Sequence, residues 1–482
     1  MEIQAPHFLI LSYPAQGHIN PNLRLAKRLA REAAASAGRS VHITFSTAVS
    51  AHRQMFPSSG ADRSVEHDDG ISFIPYSNGY DDGFDKEKHD VGNYMTAMKR
   101  HGAETLAAIV DDLASGGHPV TCLIYSFFMS WAADIARDRG IPCFLHWIQP
   151  ATAFAVYWHA FHDCGSAISA AAGDLSGLVK LPELPPMRVR DLPSFLTLTS
   201  SDDPYAILLP HLREMFETLD AEAAVAKITK PRVLVNTADV MEAPAMASVA
   251  GSVEIAGVGP LLGDATEGSI LKEDENTRYM EWLDGQAAKS VVYVSFGSMS
   301  VLKKEQMEEI KKGLRASGRP YLWVVRKDNR LEGLELEEQE EEEEQEDGEY
   351  LGEKKKGMVV EWCSQARVLA HRAVGCFVTH CGWNSTVESL IAGVPTVAVP
   401  QWTDQTTNAW LMERAWGTGV RVEVGREGTV PAEELRRCVE TAMGEEIRRK
   451  AAMWMEKVRD ATREGGLSDR NVKSFVEEII ST

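Results

Sequence analysis

Between Trp362 and Gln405 the chain gathers side chains suited to gripping a phosphorylated ligand: WCSQARVLAHRAVGCFVTHCGWNSTVESLIAGVPTVAVPQWTDQ. Trp362 falls just past an apolar run, where ligands of open α/β sheets bind, and its ring can stack on a flat base. The strand-like run Cys376–Thr379 leads into His380-Cys381-Gly382-Trp383-Asn384-Ser385, and a helix is expected from about Thr386 to Ala392. That order puts Asn384, Ser385 and free backbone N–H groups at a helix N-terminus, an anion site fit for a diphosphate. His380, at the strand end, can donate to the same phosphates. Glu388 lies one turn further in, where one carboxylate can accept from both hydroxyls of a ribose. Asp404 and Gln405 add three oxygens and an amide, the groups that hold sugar hydroxyls. Singly, each has a blander reading: a core tryptophan, a structural histidine, a surface Asp-Gln pair. In this order they describe a site for a nucleotide sugar.

The elements that must position them follow an alternating grammar. His7–Tyr13 is a continuous apolar run, as in a strand buried on both faces of a parallel sheet. A loop follows, Pro14 to Ile19, then a helix with Asn20 as N-cap and Pro21 at its first position. Val41–Ser46 and Val120–Tyr125 read as strands, and Trp131–Arg139 as a helix. The pattern restarts at Ser290–Phe296, a strand ended by Gly297-Ser298, with an amphipathic helix Lys304–Ala316 and strands at Tyr321–Val325, Gly357–Glu361, Cys376–Thr379 and Thr396–Val399. The Gly- and Pro-rich stretch Val253–Ser269 reads as a linker. The fold class is therefore α/β, with two Rossmann-like domains facing across a cleft. The expected domains are residues 1–250, 251–465 and a terminal helical segment, 466–482, set off by Gly465-Gly466.

Composition narrows the function. A length of 482 residues with 44% apolar residues suits two cores. The net charge of −20 offers no phosphate-neutralising face, so no nucleic-acid partner is expected. Much of that charge sits between Glu332 and Glu349, read as a solvated loop. The apolar start at Phe8 is too short for a membrane span and lacks a basic leader, and the seven scattered cysteines suit reduced thiols; a cytoplasmic address follows. A zinc site from Cys363, His371, Cys376, His380 and Cys381 has no ligand-pair spacing. Gly257-Val-Gly259-Pro-Leu-Leu-Gly263 is one residue too long for a dinucleotide fingerprint and opens no helix.

The stretch from Trp362 to Gln405, 44 residues long, resembles from end to end the signature box of plant UDP-glycosyltransferases. The likeness extends to HFLILSYPAQGHINP, PYSNGYDDGF, LPELPPMRVRDLPSFL and GGLSDRN, wordings similar to the branch of anthocyanin 5-O-glucosyltransferases and glucose-ester-forming enzymes. The resemblance implies a twin-Rossmann (GT-B) fold whose C-terminal helix crosses back to the N-terminal domain, UDP-glucose as donor co-substrate, a small lipophilic acceptor, a monomer and no metal. It implies that Trp362 stacks on uracil, Gln365 and Glu388 hold ribose, and Ser298, His380, Asn384 and Ser385 hold the diphosphate. Asp404 and Gln405 would hold the sugar, with Trp383 counted in the same donor-binding set. It makes His18, in the loop after the first strand, the general base; an imidazole of ordinary pKa near ~6.5 can take an acceptor's proton at neutral pH. One position departs from the family: the usual partner aspartate of that histidine is Ser126 here, in YSFFMSW. A hydroxyl can orient an imidazole but cannot stabilise its cation as a carboxylate does, so either another carboxylate or a water fills that role or the acceptor needs little base assistance; a carboxylic acid or acidic phenol is the expected acceptor. Trp147, Phe154, Trp158 and Phe195 are candidates for the acceptor pocket, with core packing as the competing reading. The alternative function is a nucleotide-sugar-binding protein with little turnover.

Overall fold

The computed structural model describes residues 5–37, 41–57, 65–85, 87–198, 206–226, 230–261, 278–327, 357–425 and 428–481. The chain forms two compact units, Met1–Leu262 with Asp460–Thr482, and Gly263–Arg459.

The first unit carries strands β1 (His7–Leu11), β2 (His42–Ser46), β3 (Glu66–Asp68), β4 (Ile71–Phe73), β5 (Cys122–Ser126), β6 (Cys143–Trp147), the two-stranded pair β7 (Leu178–Val179) and β8 (Met187–Arg188), then β9 (Arg232–Val235) and β10 (Glu254–Gly257). The main sheet runs β10-β9-β6-β5-β1-β2-β4-β3, parallel except for the β3–β4 pair. Phe8, Leu9, Ile10 and Leu11 are all fully buried, as their unbroken apolar run requires of a strand covered on both faces. Strand order reverses between β1 and β5, and such a reversal opens a crevice at the strands' C-terminal ends. The terminal helix Leu467–Ser481 belongs to this unit. Its Phe475 packs edge-on to Phe144, and Asn471 donates to the Gly257 carbonyl at 2.9 Å.

Two expectations need correction here. The first helix spans Gln16–Ala37, with Pro21 inside it, so His18 stands in its first turn rather than in a loop. The Ala15 carbonyl accepts from His18 and Ile19, at 2.8 and 2.9 Å, and closes that turn before Asn20. Pro21 omits one backbone bond, toward Gly17, which is exposed to water and loses little. The expected linker begins as a strand: Glu254–Gly257 extends the sheet parallel to β9, and Arg232 clasps Glu254 at 2.8 Å across the edge. The rest of that stretch from residue 262, and the acidic run Glu332–Glu349, lie outside the described residues.

The second unit holds β11 (Val291–Ser295), β12 (Tyr321–Val324), β13 (Gly357–Val360), β14 (Val374–Thr379), β15 (Thr396–Ala398) and β16 (Gly419–Arg421). They form one parallel sheet ordered β13-β12-β11-β14-β15-β16. Period-two alternation sends Val292, Val294, Cys376 and Val378 to one core with Met307 and Leu314. Val291, Tyr293 and Phe377 go to the other core with Val368 and Leu369. Here the order reverses between β11 and β14. Among the described residues, no helix is long and apolar enough to cross a membrane.

Candidate active site

In the second unit every donor candidate but Glu388, which lies within the helix Trp383–Ala392, follows the C-terminal end of a strand. Ser298 follows β11, Trp362 and Gln365 follow β13, His380 to Ser385 follow β14, and Asp404 and Gln405 follow β15. Parallel strands all point the same way, so four separate chain segments deliver their side chains to one sheet edge.

Three of these side chains are joined directly. Gln365 Nε2 donates to Glu388 Oε2 at 2.7 Å and to Ser385 Oγ at 2.9 Å. The buried Tyr293 hydroxyl donates to Gln365 Oε1 at 3.3 Å and fixes the amide's orientation. The helix Trp383–Ala392 starts three residues earlier than expected; its N-cap is Gly382, which has no side chain to cap it. The N–H groups of its first turn therefore have no intrahelical acceptor, the arrangement that favours a bound anion. Trp383 is 4% exposed, and its ring lies 6.2 Å from that of Trp416, so its indole is core and its contribution to this turn is backbone. Trp362 is half-buried and Ser298 exposed.

His380 stands at the reversal between β11 and β14. A Cβ on Gly297 (φ +72°) or Gly382 would come within 2.6 Å of its ring, so both glycines are needed for the imidazole to lie against the backbone. Burial, with the Arg326 charge adding to it, lowers His380 to about 4, so the ring is neutral at pH 7. Arg326 clamps the turn behind it, donating to the carbonyls of Gly297 at 2.5 Å and Ser300 at 3.1 Å. Gln405 folds its Oε1 onto the N–H groups of Gln401 and Trp402, at 2.8 and 3.1 Å, which leaves its Nε2 for a ligand. Asp404 is 5% exposed; burial raises its carboxyl, and donors on Thr403 and Asn408 offset part of that rise.

The first unit places His18 and Ser126 on either side of its own reversal, after β1 and at the end of β5. It does not join them. His18 Nδ1 and Ser126 Oγ are both buried and neither has a hydrogen-bond partner among the described residues. The expected orientation of His18 by Ser126 is absent from this structure. His18 is instead flanked by Tyr13, ring centroids 4.9 Å apart, and Phe127 at 6.0 Å. Burial alone lowers its imidazole to about 4. Asn22 anchors the turn from below: its Nδ2 donates to the His18 carbonyl at 2.8 Å and to Ser12 Oγ at 3.2 Å, and its Oδ1 meets His146 Nδ1 at 2.7 Å. His146 is the parallel register partner of Ser126, so the two share a face of the sheet. Asn22, His146, Tyr13 and Phe127 all escaped the sequence reading; the i,i+4 spacing of His18 and Asn22 was a usable signal, whereas the strand register was not.

Trp147, Phe154 and Trp158 converge on Phe216, with centroids 6.1, 5.1 and 6.2 Å away, and Phe195 is 2% exposed. They are core. Nor do Cys363, His371, Cys376, His380 and Cys381 gather: among the described residues no three His, Cys, Asp or Glu side chains form a metal-holding group, and all seven cysteines are free.

Two α/β units with parallel sheets, and a joined polar cluster at the strand ends of the second, are the architecture of a twin-Rossmann (GT-B) enzyme. Comparison with known proteins agrees. The UDP-glucoronosyl and UDP-glucosyl transferase family matches residues 174–464, and the chain belongs to that family. It is 42% identical to a chloroplastic crocetin glucosyltransferase of Gardenia jasminoides, over 99% of this chain and 98% of that one. It is 43% identical to anthocyanidin 3-O-glucoside 5-O-glucosyltransferase 1 of Perilla frutescens, over 98% of each. Os79 from O. sativa, solved in complex with UDP, is 30% identical and superposes with a TM-score of 0.77 over 98% of this chain and 100% of that one. The protein is a UDP-glycosyltransferase of GT-B fold, related over its full length to plant enzymes.

Proposed function

We propose that the enzyme transfers glucose from UDP-glucose, with inversion, to a hydroxyl or carboxyl oxygen of a small lipophilic acceptor, giving a β-glucoside or a glucose ester. The carrying observation is the joined trio Gln365–Glu388–Ser385 beside the helix start at Trp383, whose N-cap is a glycine. In this reading Trp362 stacks on uracil, Gln365 and Glu388 take the ribose, and Asp404 and Gln405 hold the sugar. Ser298, neutral His380, Asn384, Ser385 and the N–H groups of the first helical turn receive the diphosphate. Protein donors, rather than a metal, balance the charge that grows on the leaving UDP.

His18 takes the acceptor's proton while the acceptor oxygen bonds to the anomeric carbon. The bond from that carbon to UDP breaks, and UDP leaves with the electron pair. Such a displacement passes through an oxocarbenium-like transition state. A histidine lowered to about 4 is neutral at pH 7 and free to accept, but its cation is poorly stabilised. Acceptors that are ionised already, or lose a proton easily, suit it best: a carboxylic acid or a phenol of low pKa. The names of the Gardenia and Perilla relatives, acting on crocetin and on an anthocyanidin glucoside, support this acceptor class.

The test is initial rates with matched carboxylic acids, phenols and aliphatic alcohols, with the anomeric configuration read by NMR. Faster carboxylates and phenols giving β products support the proposal; preference for alcohols, or an α product, overturns it. The unjoined His18 and Ser126 favour one second reading, a nucleotide-sugar-binding protein with little turnover. We place the protein in the cytoplasm as a monomer; plastid import of a fluorescent fusion would contradict the address, as a dimer in ultracentrifugation would contradict the monomer.

A further inference from the structure

Asn408, three residues past the end of the signature box, is fully buried in the helix Gln405–Trp410. Its amide has two N–H donors, and both are used. Asn408 Nδ2 donates to the Cys381 carbonyl at 2.8 Å and to Asp404 Oδ2 at 2.8 Å. Its Oδ1 is buried with no partner, a cost that a leucine of similar volume would avoid. The packing alone therefore does not explain an asparagine here; its two N–H groups do.

Each acceptor belongs to a constrained turn. Cys381 has φ +66°, left-handed backbone that a residue with a Cβ adopts rarely, and it opens the turn leading to the helix start at Trp383. Its carbonyl also receives Thr386 Oγ1 at 3.3 Å, and its N–H goes to Thr379 Oγ1 at 3.2 Å. Thr403 has φ +57°, and its hydroxyl holds the other Asp404 oxygen at 2.6 Å. An amide group is planar, with its two N–H bonds at a fixed angle, so a shift of one acceptor is felt at the other.

We propose that Asn408 is a positioning residue that couples the diphosphate-binding turn at Cys381 to the sugar-binding carboxylate of Asp404, so that seating the diphosphate sets Asp404 for the glucose hydroxyls. This rests on the donor-site reading above and adds a residue and a coupling to it. Removing Asn408 costs recognition of the sugar more than recognition of the nucleotide, because the base and ribose contacts do not pass through it.

The experiment compares wild-type and Asn408→Leu full-length protein by calorimetric Kd for UDP and for UDP-glucose, together with kcat, KM and the rate ratio of UDP-glucose over UDP-galactose. The expected result is UDP affinity within about 3-fold of wild type, UDP-glucose kcat/KM down at least about 10-fold, and a narrower preference between the two sugars. Parallel loss of UDP and UDP-glucose affinity with the sugar preference intact would mean a merely structural role and overturn the inference. Thr403→Val, which removes the other side-chain donor to Asp404, is the check if the leucine variant does not fold. It is expected to shift the UDP-glucose to UDP affinity ratio in the same direction by about 3-fold; an unchanged ratio would overturn the inference. Wild-type protein that fails to bind UDP would instead overturn the donor-site reading itself.

Discussion

The edge of the second unit's sheet and the turn around His18 in the first unit sit at equivalent places in two similar topologies, yet they are finished differently. In the second unit the side chains are already held by hydrogen bonds: Gln365 to Glu388 and Ser385, Asn408 to the Cys381 carbonyl and Asp404. Among the described residues each unit keeps buried unpaired atoms, His380 Nδ1 and Asn408 Oδ1 in the second, but in the first they include the candidate base itself, His18 Nδ1, together with Ser126 Oγ and His146 Nε2. Prebuilt hydrogen bonds suit a ligand with fixed polar groups, such as a nucleoside diphosphate sugar. An unpaired His18 Nδ1 beside the rings of Tyr13 and Phe127 suits an acceptor that is largely apolar and brings one reactive oxygen.

The largest effect that would break this contrast is His18→Ala. Turnover of alcohol and weakly acidic phenol acceptors is expected to fall about 10²- to 10⁴-fold, and that of carboxylic acids by much less, with UDP affinity unchanged. Equal loss across acceptors, read from initial rates, would deny His18 the role of base. Next comes Glu388→Ala, which removes a charged acceptor of the Gln365 amide and of the proposed ribose contact. UDP Kd is expected to rise about 10- to 100-fold, as for loss of a charged hydrogen bond. A calorimetric Kd within 2-fold of wild type, roughly the scatter around a neutral change, would mean that the trio is not a ribose site.

Legibility in the sequence followed the same division. The donor box could be read because its residues lie within one segment and each turn follows its own strand; even so, Asn408 and Arg326, which brace those turns, fall outside it. Trp383 has the right neighbours, but its ring points into the core, a choice made by Trp416 far along the chain. Around His18 the decisive contacts cross from helix to strand: Asn22 reaches His146, 124 residues away, and no local pattern announces that. Pro21 suggested a helix start because proline favours first turns, whereas the Ala15 carbonyl had already closed the first turn. Glycine and proline around residue 257 hid an edge strand whose pairing depends on distant β9.

The buried neutral histidines sharpen the comparison through pH. Burial lowers His146 to about 3 and His18 to about 4, below the ordinary 6.5 of an unfolded chain. The unfolded state therefore binds more protons as pH falls, and their contribution to stability, intact above about 6.5, is lost progressively toward the folded values. Between pH 6.5 and 5 His146 alone accounts for about 2 kcal/mol, at about 1.4 kcal/mol per unit. His146→Gln is expected to flatten the fall of Tm over that range; an unchanged slope would place the acid sensitivity elsewhere. The smallest expected effect is Ser126→Ala, under about 2-fold in kcat, because no hydrogen bond is lost. Ser126→Asp is expected to raise His18 and move the acid limb of the rate profile upward in pH. A large loss in the alanine variant, or an unmoved limb in the aspartate variant, would show that Ser126 meets His18 during the reaction or that the two never communicate.

The central claim is a donor site prepared for turnover, and acceptor-dependent release of UDP from UDP-glucose by the wild-type enzyme tests it most directly. Release is expected to be negligible with water alone and to rise steeply with carboxylic or phenolic acceptors. Tight UDP-glucose binding with no release across a broad acceptor panel would contradict it and leave a protein that holds the sugar nucleotide without spending it.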